Sequence, residues 1–258
     1  MQPIRIVATV HKAGWEQYGR RMAQSVVARW PRTARLTVYA EGFEPDVEGV
    51  DVRALPAWLG EFKARHAGNM AANGGTVSGY SFRFDAVKFA HKVAALTDFG
   101  ARLDDGVMIW LDADTFTHSE VTEDWLDSLF PEPAYLAWLD RHNCYPECGF
   151  VMFRPAHDYH GTLMRRFRNT YASDAVFKMA ETHDSYVLQQ IVNAAASDRR
   201  IPAPQSLSGR AVRSSHPFAC GPLSSCIDHF KGARKKAGRT PANERAWFVR
   251  DNHPYWAT

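Results

Sequence analysis

Val107-Met-Ile-Trp-Leu111 runs without a break into Asp112-Ala-Asp114. Five successive apolar residues read as a strand buried on both faces. Ending such a strand in two carboxylates is costly unless they meet water, a cation or hydrogen-bond donors. In a parallel sheet the carboxyl end of a strand is where ligands bind. Period-two alternation sends Asp112 and Asp114 to the same side of the chain. Two hard oxygen ligands beside an open crevice suit Mg²⁺ or Mn²⁺, with substrate phosphates completing the shell. Such an ion neutralises a departing diphosphate. Asp-x-Asp alone is a common pattern, because acids after strands also serve as helix N-caps.

The residues before this strand alternate between two periods. Ile4 to Val10 reads as a buried first strand, and Leu36 to Ala40 and Val50 to Ala54 as a second and third. Between the first two, Tyr18, Met22, Val26 and Trp30 recur at helical spacing until Pro31 stops the run. Strand, helix, strand predicts a parallel sheet with crossover helices. Gly68 to Gly79, rich in Gly, Asn and Ser, reads as a lid or an internal linker. Phe82 to Leu96 reads as a helix whose polar positions include Arg83, Asp85, Lys88 and Lys92. Beyond Asp114 the pattern predicts a short helix at Asp124–Leu129 and strands at Tyr135–Leu139 and Gly149–Phe153. Helices follow at about His157–Tyr171 and His183–Ala196, and regular periodicity stops after Asp198.

The chain has 258 residues, 45% of them hydrophobic and 23% charged, the balance of an ordinary globular protein. A net charge of +3 does not by itself point to nucleic acid. The charge is uneven, however. Lys231, Arg234, Lys235, Lys236, Arg239, Arg245 and Arg250 face Glu244 as the only acid of that stretch, a patch suited to a phosphate-bearing ligand or to plain solvation. Cys144, Cys148, Cys220 and Cys226 are spaced as Cys-x3-Cys and Cys-x5-Cys, which admits a zinc site but favours buried free thiols. Met1 to Val10 lacks a signal-peptide pattern and no apolar run reaches membrane-spanning length, so a cytoplasmic protein with reduced thiols is expected.

Four segments, in order, resemble GT-A-fold glycosyltransferases of the glycogenin and lipopolysaccharide-galactosyltransferase type. Ile109-Trp-Leu-Asp-Ala-Asp114 is similar to that group's strand and Asp-x-Asp. Glu147-Cys-Gly-Phe-Val-Met-Phe153 resembles its Asn-x-Gly-x-x-x-Phe strand on the acceptor side, and His183-Asp184-Ser-Tyr its Asp-Gln helix start. His229-Phe-Lys-Gly232-Ala-Arg-Lys235 fits the His-x-x-Gly-x-x-Lys of its C-terminal metal and diphosphate loop. The first and fourth motifs are the specific ones. Lys236-Ala237 replaces the usual Pro-Trp, Ser185 the Gln and Glu147 the Asn, departures that touch acceptor class and stereochemistry more than the donor.

The resemblance implies one α/β domain with a GT-A-like, Rossmann-type mixed sheet and helices on both faces. Residues 1–114 would form its nucleotide-binding half, 115–236 its acceptor half and metal loop, and 237–258 a basic, aromatic tail. It implies Asp112, Asp114 and His229 as ligands of Mn²⁺ (or Mg²⁺), and a nucleotide diphosphate-sugar as donor, a UDP-sugar first. The donor's diphosphate would meet Asp112, Gly232 and Lys235, with Arg83, Asp85 and Lys88 beside the phosphates or ribose. Thr9, Val10 and Tyr18 would lie at the base, and Asp184 and Glu147 near the reacting carbon. Each has a structural alternative: an Asp85–Lys88 ion pair, core and cap roles for Thr9, Val10 and Tyr18, and an N-cap for Asp184.

A haloacid dehalogenase-like phosphatase uses the same Asp-x-Asp, but Asp114-Thr-Phe116-Thr fits its pattern poorly. A non-catalytic domain that binds sugar nucleotides is the other alternative. Glycan, lipid-linked, protein and nucleic-acid acceptors all remain open. The tail from Trp247 to Trp256 would either touch a membrane surface or fold back on the core.

Overall fold

The computed structural model describes residues 2–141, 144–208, 217–232, 234–241 and 254–257. β1 (Ile4–His11) leads through α1 (Lys12–Gly14) and a π-helical turn at Trp15–Gly19 into α2 (Arg20–Arg29). β2 (Ala34–Glu41) and β3 (Val50–Arg53) follow, then α3 (Ala57–His66). The Gly-rich stretch folds into a hairpin of β4 (Gly75–Thr76) and β5 (Gly79–Tyr80).

α4 (Ala86–Gly100) begins later than its apolar spacing predicts. Phe82–Phe84 is a 3₁₀ turn, and Asp85 leaves helical backbone (φ −85°, ψ 70°) to accept the N–H of Lys88 at 3.0 Å. Asp85 therefore caps the helix through Lys88's backbone, and the expected Asp85–Lys88 ion pair does not form. Capping satisfies an N–H that a helix start would otherwise leave open.

β6 (Val107–Leu111), β7 (Thr115–Thr117), α5 (Glu123–Leu129) and β8 (Leu136–Arg141) come next. β9 (Cys144–Phe153) starts five residues before the predicted Gly149, so Glu147 lies on it. After α6 (His160–Ala172) and α7 (Asp184–Ala195), the chain that looked irregular still adds β10 (Gln205–Ser206), β11 (Ile227–His229), α8 (Arg234–Ala237) and α9 (Pro254–Ala257). Strands of two or three residues are too short to show a period.

Seven strands form one sheet in the order β10-β8-β9-β6-β1-β2-β3. β6, β1, β2 and β3 are parallel, as crossover helices require, whereas β9 runs antiparallel between β6 and β8. This is a Rossmann-type mixed sheet with helices on both faces, as the resemblance implies. Alternate residues of β6 serve the two layers: Met108 and Trp110 join the core under α3, α4, α6 and α7, and Ile109 and Leu111 the core under α2 and α5. That double burial is why the strand is apolar throughout. No helix among the described residues is long and apolar enough to cross a membrane.

Candidate active site

Asp112 leaves the carboxyl end of β6 with its N–H still bonded to Gly149 O at 2.8 Å. It has the parity of Met108 and Trp110, so it faces the α4 layer. Its Oδ1 accepts the Trp110 indole N–H at 2.6 Å and the Lys92 ammonium at 2.9 Å. Asp114 is brought to the second specific motif by a small antiparallel ladder. β11 pairs with β7, His229 opposite Thr115, and Phe230 N–H bonds Asp114 O at 2.8 Å. His229 Nε2 thereby lies 3.0 Å from Asp114 Oδ1 and 3.9 Å from Asp112 Oδ2. Gly149 makes room for the imidazole, since a Cβ there would stand 2.9 Å from His229 Cε1.

Each aspartate thus gives one oxygen to a lysine and turns the other toward His229. Lys235 Nζ holds Asp114 Oδ2 at 3.0 Å and lies 4.3 Å from the Tyr18 ring centroid. It is carried past Gly232, whose φ of +62° is a left-handed conformation that glycine adopts at no steric cost. Burial would raise the Asp114 pKa, but His229 and Lys235 outweigh it and hold the carboxyl low. Burial likewise opposes charge on His229, and Asp114, Glu147 and Asp112 overcome it to raise its pKa. The cluster calls for positive charge.

The ligand atoms of Asp112, Asp114 and His229 all lie within 4.8 Å of one another, and no other such group of three occurs among the described residues. Two carboxylates and an imidazole fit a divalent ion, and the nitrogen favours Mn²⁺ over Mg²⁺. The four cysteines are free; Cys144 is exposed and the rest are buried, so their spacing assembles no zinc cluster among the described residues. Burial pushes the Cys148 thiol up to about 12.

Sequence reasoning counted Lys92 only among the polar positions of its helix, yet its side chain is 11% exposed. It reaches Asp112 on one side, Asp184 Oδ2 at 2.8 Å on the other and Cys148 O at 2.5 Å. Burial opposes its charge, but Asp112 and Asp184 outweigh it and raise its pKa. The only signal in the sequence was a lysine beside Val93-Ala-Ala-Leu96, with no acid a helical turn away.

Asp184 does not cap α7. That role falls to His183, whose Nδ1 accepts Tyr186 N–H at 3.3 Å while its Nε2 faces Glu181 Oε2 at 2.8 Å. An accepting Nδ1 makes Nε2 the protonated nitrogen, and burial favours this neutral form by lowering the pKa. Asp184, first residue of the helix, is buried and left to Lys92. Glu147 is buried, with Lys231 Nζ at 2.8 Å, Arg141 Nη1 at 3.9 Å and His229 Nδ1 at 4.0 Å.

The other expected donor contacts are more scattered. Thr9 gives its hydroxyl to Tyr39 O at 2.9 Å, and Val10 is core. Arg83 Nη1 lies 3.5 Å from Glu181, at the edge of the His183–Asp184 corner, and Lys88 is exposed on the first turn of α4. Neither Thr9 nor Val10 makes a side-chain hydrogen bond or ion pair to the carboxylate cluster.

Asp228, missed by sequence reasoning, anchors the chain around His229. Wholly buried, it accepts His229 N–H at 2.7 Å, Thr240 N–H at 2.8 Å, the Thr240 hydroxyl at 2.6 Å and the Tyr255 hydroxyl at 2.8 Å. Tyr255 also stacks on His118 at 4.0 Å, and Trp256 N–H bonds Ser224 O at 2.6 Å. This part of the tail folds back on the core; Trp247, Glu244, Arg245 and Arg250 lie outside the described residues.

No family model matches the chain, and no curated protein matches it. Among solved structures it is similar to apo mouse xyloside xylosyltransferase 1, at 10% identity over 77% of this chain and 83% of that one, TM-score 0.46. The galactosyltransferase LgtC with donor and acceptor sugar analogues is 16% identical over 73% and 70%, TM-score 0.42. The apo glycosyltransferase GlyE of Streptococcus pneumoniae TIGR4 is 12% identical over 76% of this chain and 43% of its own, TM-score 0.43. These are distant likenesses, and the reading of the site rests on its own geometry.

Proposed function

We propose that this chain is a metal-dependent glycosyltransferase that moves a hexose from a nucleotide diphosphate-sugar, a UDP-sugar first, to an acceptor hydroxyl. One observation carries the reading. At the carboxyl end of β6, two aspartates and a histidine 115 residues further along the chain converge, each acid held by a lysine through its other oxygen. A divalent ion held by Asp112, Asp114 and His229 would supply Lewis-acid stabilisation of the leaving diphosphate.

The chain's own residues do the rest. Lys235, on the loop that Gly232 opens, is placed to exchange Asp114 for a β-phosphate oxygen. Lys92 orients the Asp184 carboxylate, which we assign to the transferred sugar. Its negative charge would steady an oxocarbenium-like centre. Glu147, held by Lys231, faces the acceptor side and is the candidate for the acceptor hydroxyl's proton. The sugar, the acceptor and a cytoplasmic location are expectations of this same reading.

Isothermal titration of nucleoside diphosphates with Mn²⁺ and in EDTA tests it, followed by assay of donor turnover. Mn²⁺-dependent binding and slow release of nucleoside diphosphate from the donor are expected. Equal affinity in EDTA would remove the metal from the account. Release of inorganic phosphate from simple phosphoesters would make the chain a phosphatase, and binding without any turnover would make it a binding domain.

A further inference from the structure

Apart from Val27 and Val52, the large apolar side chains exposed among the described residues gather in one region. Met70 (74% exposed), Val77, Tyr80 (63%), Phe82 and Phe84 belong to the β4–β5 hairpin and its two arms. Phe177 lies at the root, its ring stacked on Phe62 and 4.6 Å from His66, where the hairpin segment begins. Val77, at the tip, is fully exposed. Exposed apolar side chains grouped on one segment mark an interaction surface rather than chance.

The acids at its edge are already engaged: Glu181 lies 3.5 Å from Arg83, Asp174 pairs with Arg65 and His66, and the buried Asp85 accepts the Tyr80 hydroxyl. From Ala67 to Phe84 there is no Asp or Glu, while Arg83 sits among the aromatic residues. Lys178 follows Phe177, and Lys88 lies one turn into the helix that Asp85 caps. Both lysines are exposed and make no ion pair among the described residues. Aromatic and aliphatic side chains ringed by cations are the composition that settles at the headgroup level of an anionic bilayer. A second copy of the chain is the poorer fit. A stable interface takes roughly 800 Å² and 20–30 residues from each partner, far more than a hairpin of two two-residue strands offers.

We propose that the β4–β5 hairpin, through Met70, Val77, Tyr80 and Phe84, docks this protein on the surface of an anionic lipid bilayer. The inference does not depend on the sugar-transfer reading. It does set the site against the membrane, because Tyr80 hydroxyl bonds Asp85 at 2.9 Å and the Phe82 ring lies 5.6 Å from His183, next to Asp184.

The test is co-sedimentation of the full chain with vesicles of phosphatidylcholine alone or mixed with phosphatidylglycerol. Binding to the mixed vesicles is expected, with partition falling about ten-fold or more in Val77→Asp and in Met70→Ser/Val77→Ser. These side chains are exposed, so thermal unfolding should be unchanged. A Val77→Trp variant gives an independent readout: its added fluorescence should shift to the blue on mixed vesicles. Undiminished sedimentation of the serine variant, or no shift from Val77→Trp, would overturn the proposal. Equal binding to phosphatidylcholine alone would overturn its anionic requirement. A dimer by light scattering that the serine variant abolishes would reassign the face to a second copy.

Discussion

Lys92 and Asp184 form an ion pair of 2.8 Å, and both side chains are nearly sealed from solvent. The same ammonium holds Asp112, so one buried cation ties the start of α7 to the end of β6. Two acids share one lysine, and Asp112 also faces His229 at 3.9 Å.

Removing that lysine should therefore damage the fold before it damages chemistry. Breaking a buried pair by deleting one partner costs about 3–5 kcal/mol, because the remaining charge is left unpaired. Lys92→Met should lower the urea midpoint by a corresponding amount, measured by circular dichroism. An unchanged midpoint would show that Asp112 and Asp184 are held by other groups.

Lys235→Ala should behave differently. Its partner Asp114 keeps His229 at 3.0 Å, and the lysine is partly open to solvent, so stability should change little. If Lys235 exchanges its acid for a donor phosphate, Mn²⁺-dependent binding of nucleoside diphosphate should weaken by about 1.5–3 kcal/mol, the worth of a charge-assisted hydrogen bond. Titration calorimetry would show wild-type affinity if Lys235 served only to pair with Asp114.

For Asp184 the capping explanation is already gone, since His183 performs it. Asp184→Asn keeps size and shape but removes the charge that the proposed function assigns to the sugar. Turnover should fall by about 10²-fold, equivalent to roughly 2.7 kcal/mol of barrier. Donor affinity should move little, the signature of an interaction made mainly in the transition state. Steady-state kinetics with calorimetric donor affinity decide it, and near-normal turnover would return Asp184 to a structural role.

His160 offers a pH test away from the site. It is buried, its Nε2 lies 3.0 Å from Gly100 O, and burial lowers its pKa. The unfolded chain then binds this proton more readily than the folded one. The stability tied to the neutral ring is complete above the unfolded value of about 6.5 and is lost as pH falls toward the lower folded value. Wild type should lose stability relative to His160→Gln between about pH 7 and 5, followed by thermal unfolding of both. A difference independent of pH would show that the ring does not titrate on unfolding.

What the sequence determined by itself was the part written in local pattern. β1, β2 and β6 show as apolar runs because both their faces are buried. Asp112 and Asp114 stand out because acids at the end of such a run need a partner, and His229, Gly232 and Lys235 because they match the His-x-x-Gly-x-x-Lys of the family the chain resembles. What the tertiary structure decided was which charges meet. Lys92 on an amphipathic helix has the same local appearance whether water or two aspartates surround it. Only the packing of α4 against β6 and α7 makes it a buried clamp. Asp228 and Glu147 acquire their roles from chain far away in sequence, Tyr255 and Lys231 respectively. The three-residue ladder of β7 and β11, which unites the two motifs, is too short to leave a period. Hydrophobic periodicity records burial along one element, whereas an electrostatic site is a property of several elements at once, and its partners are fixed only when the chain has closed around them.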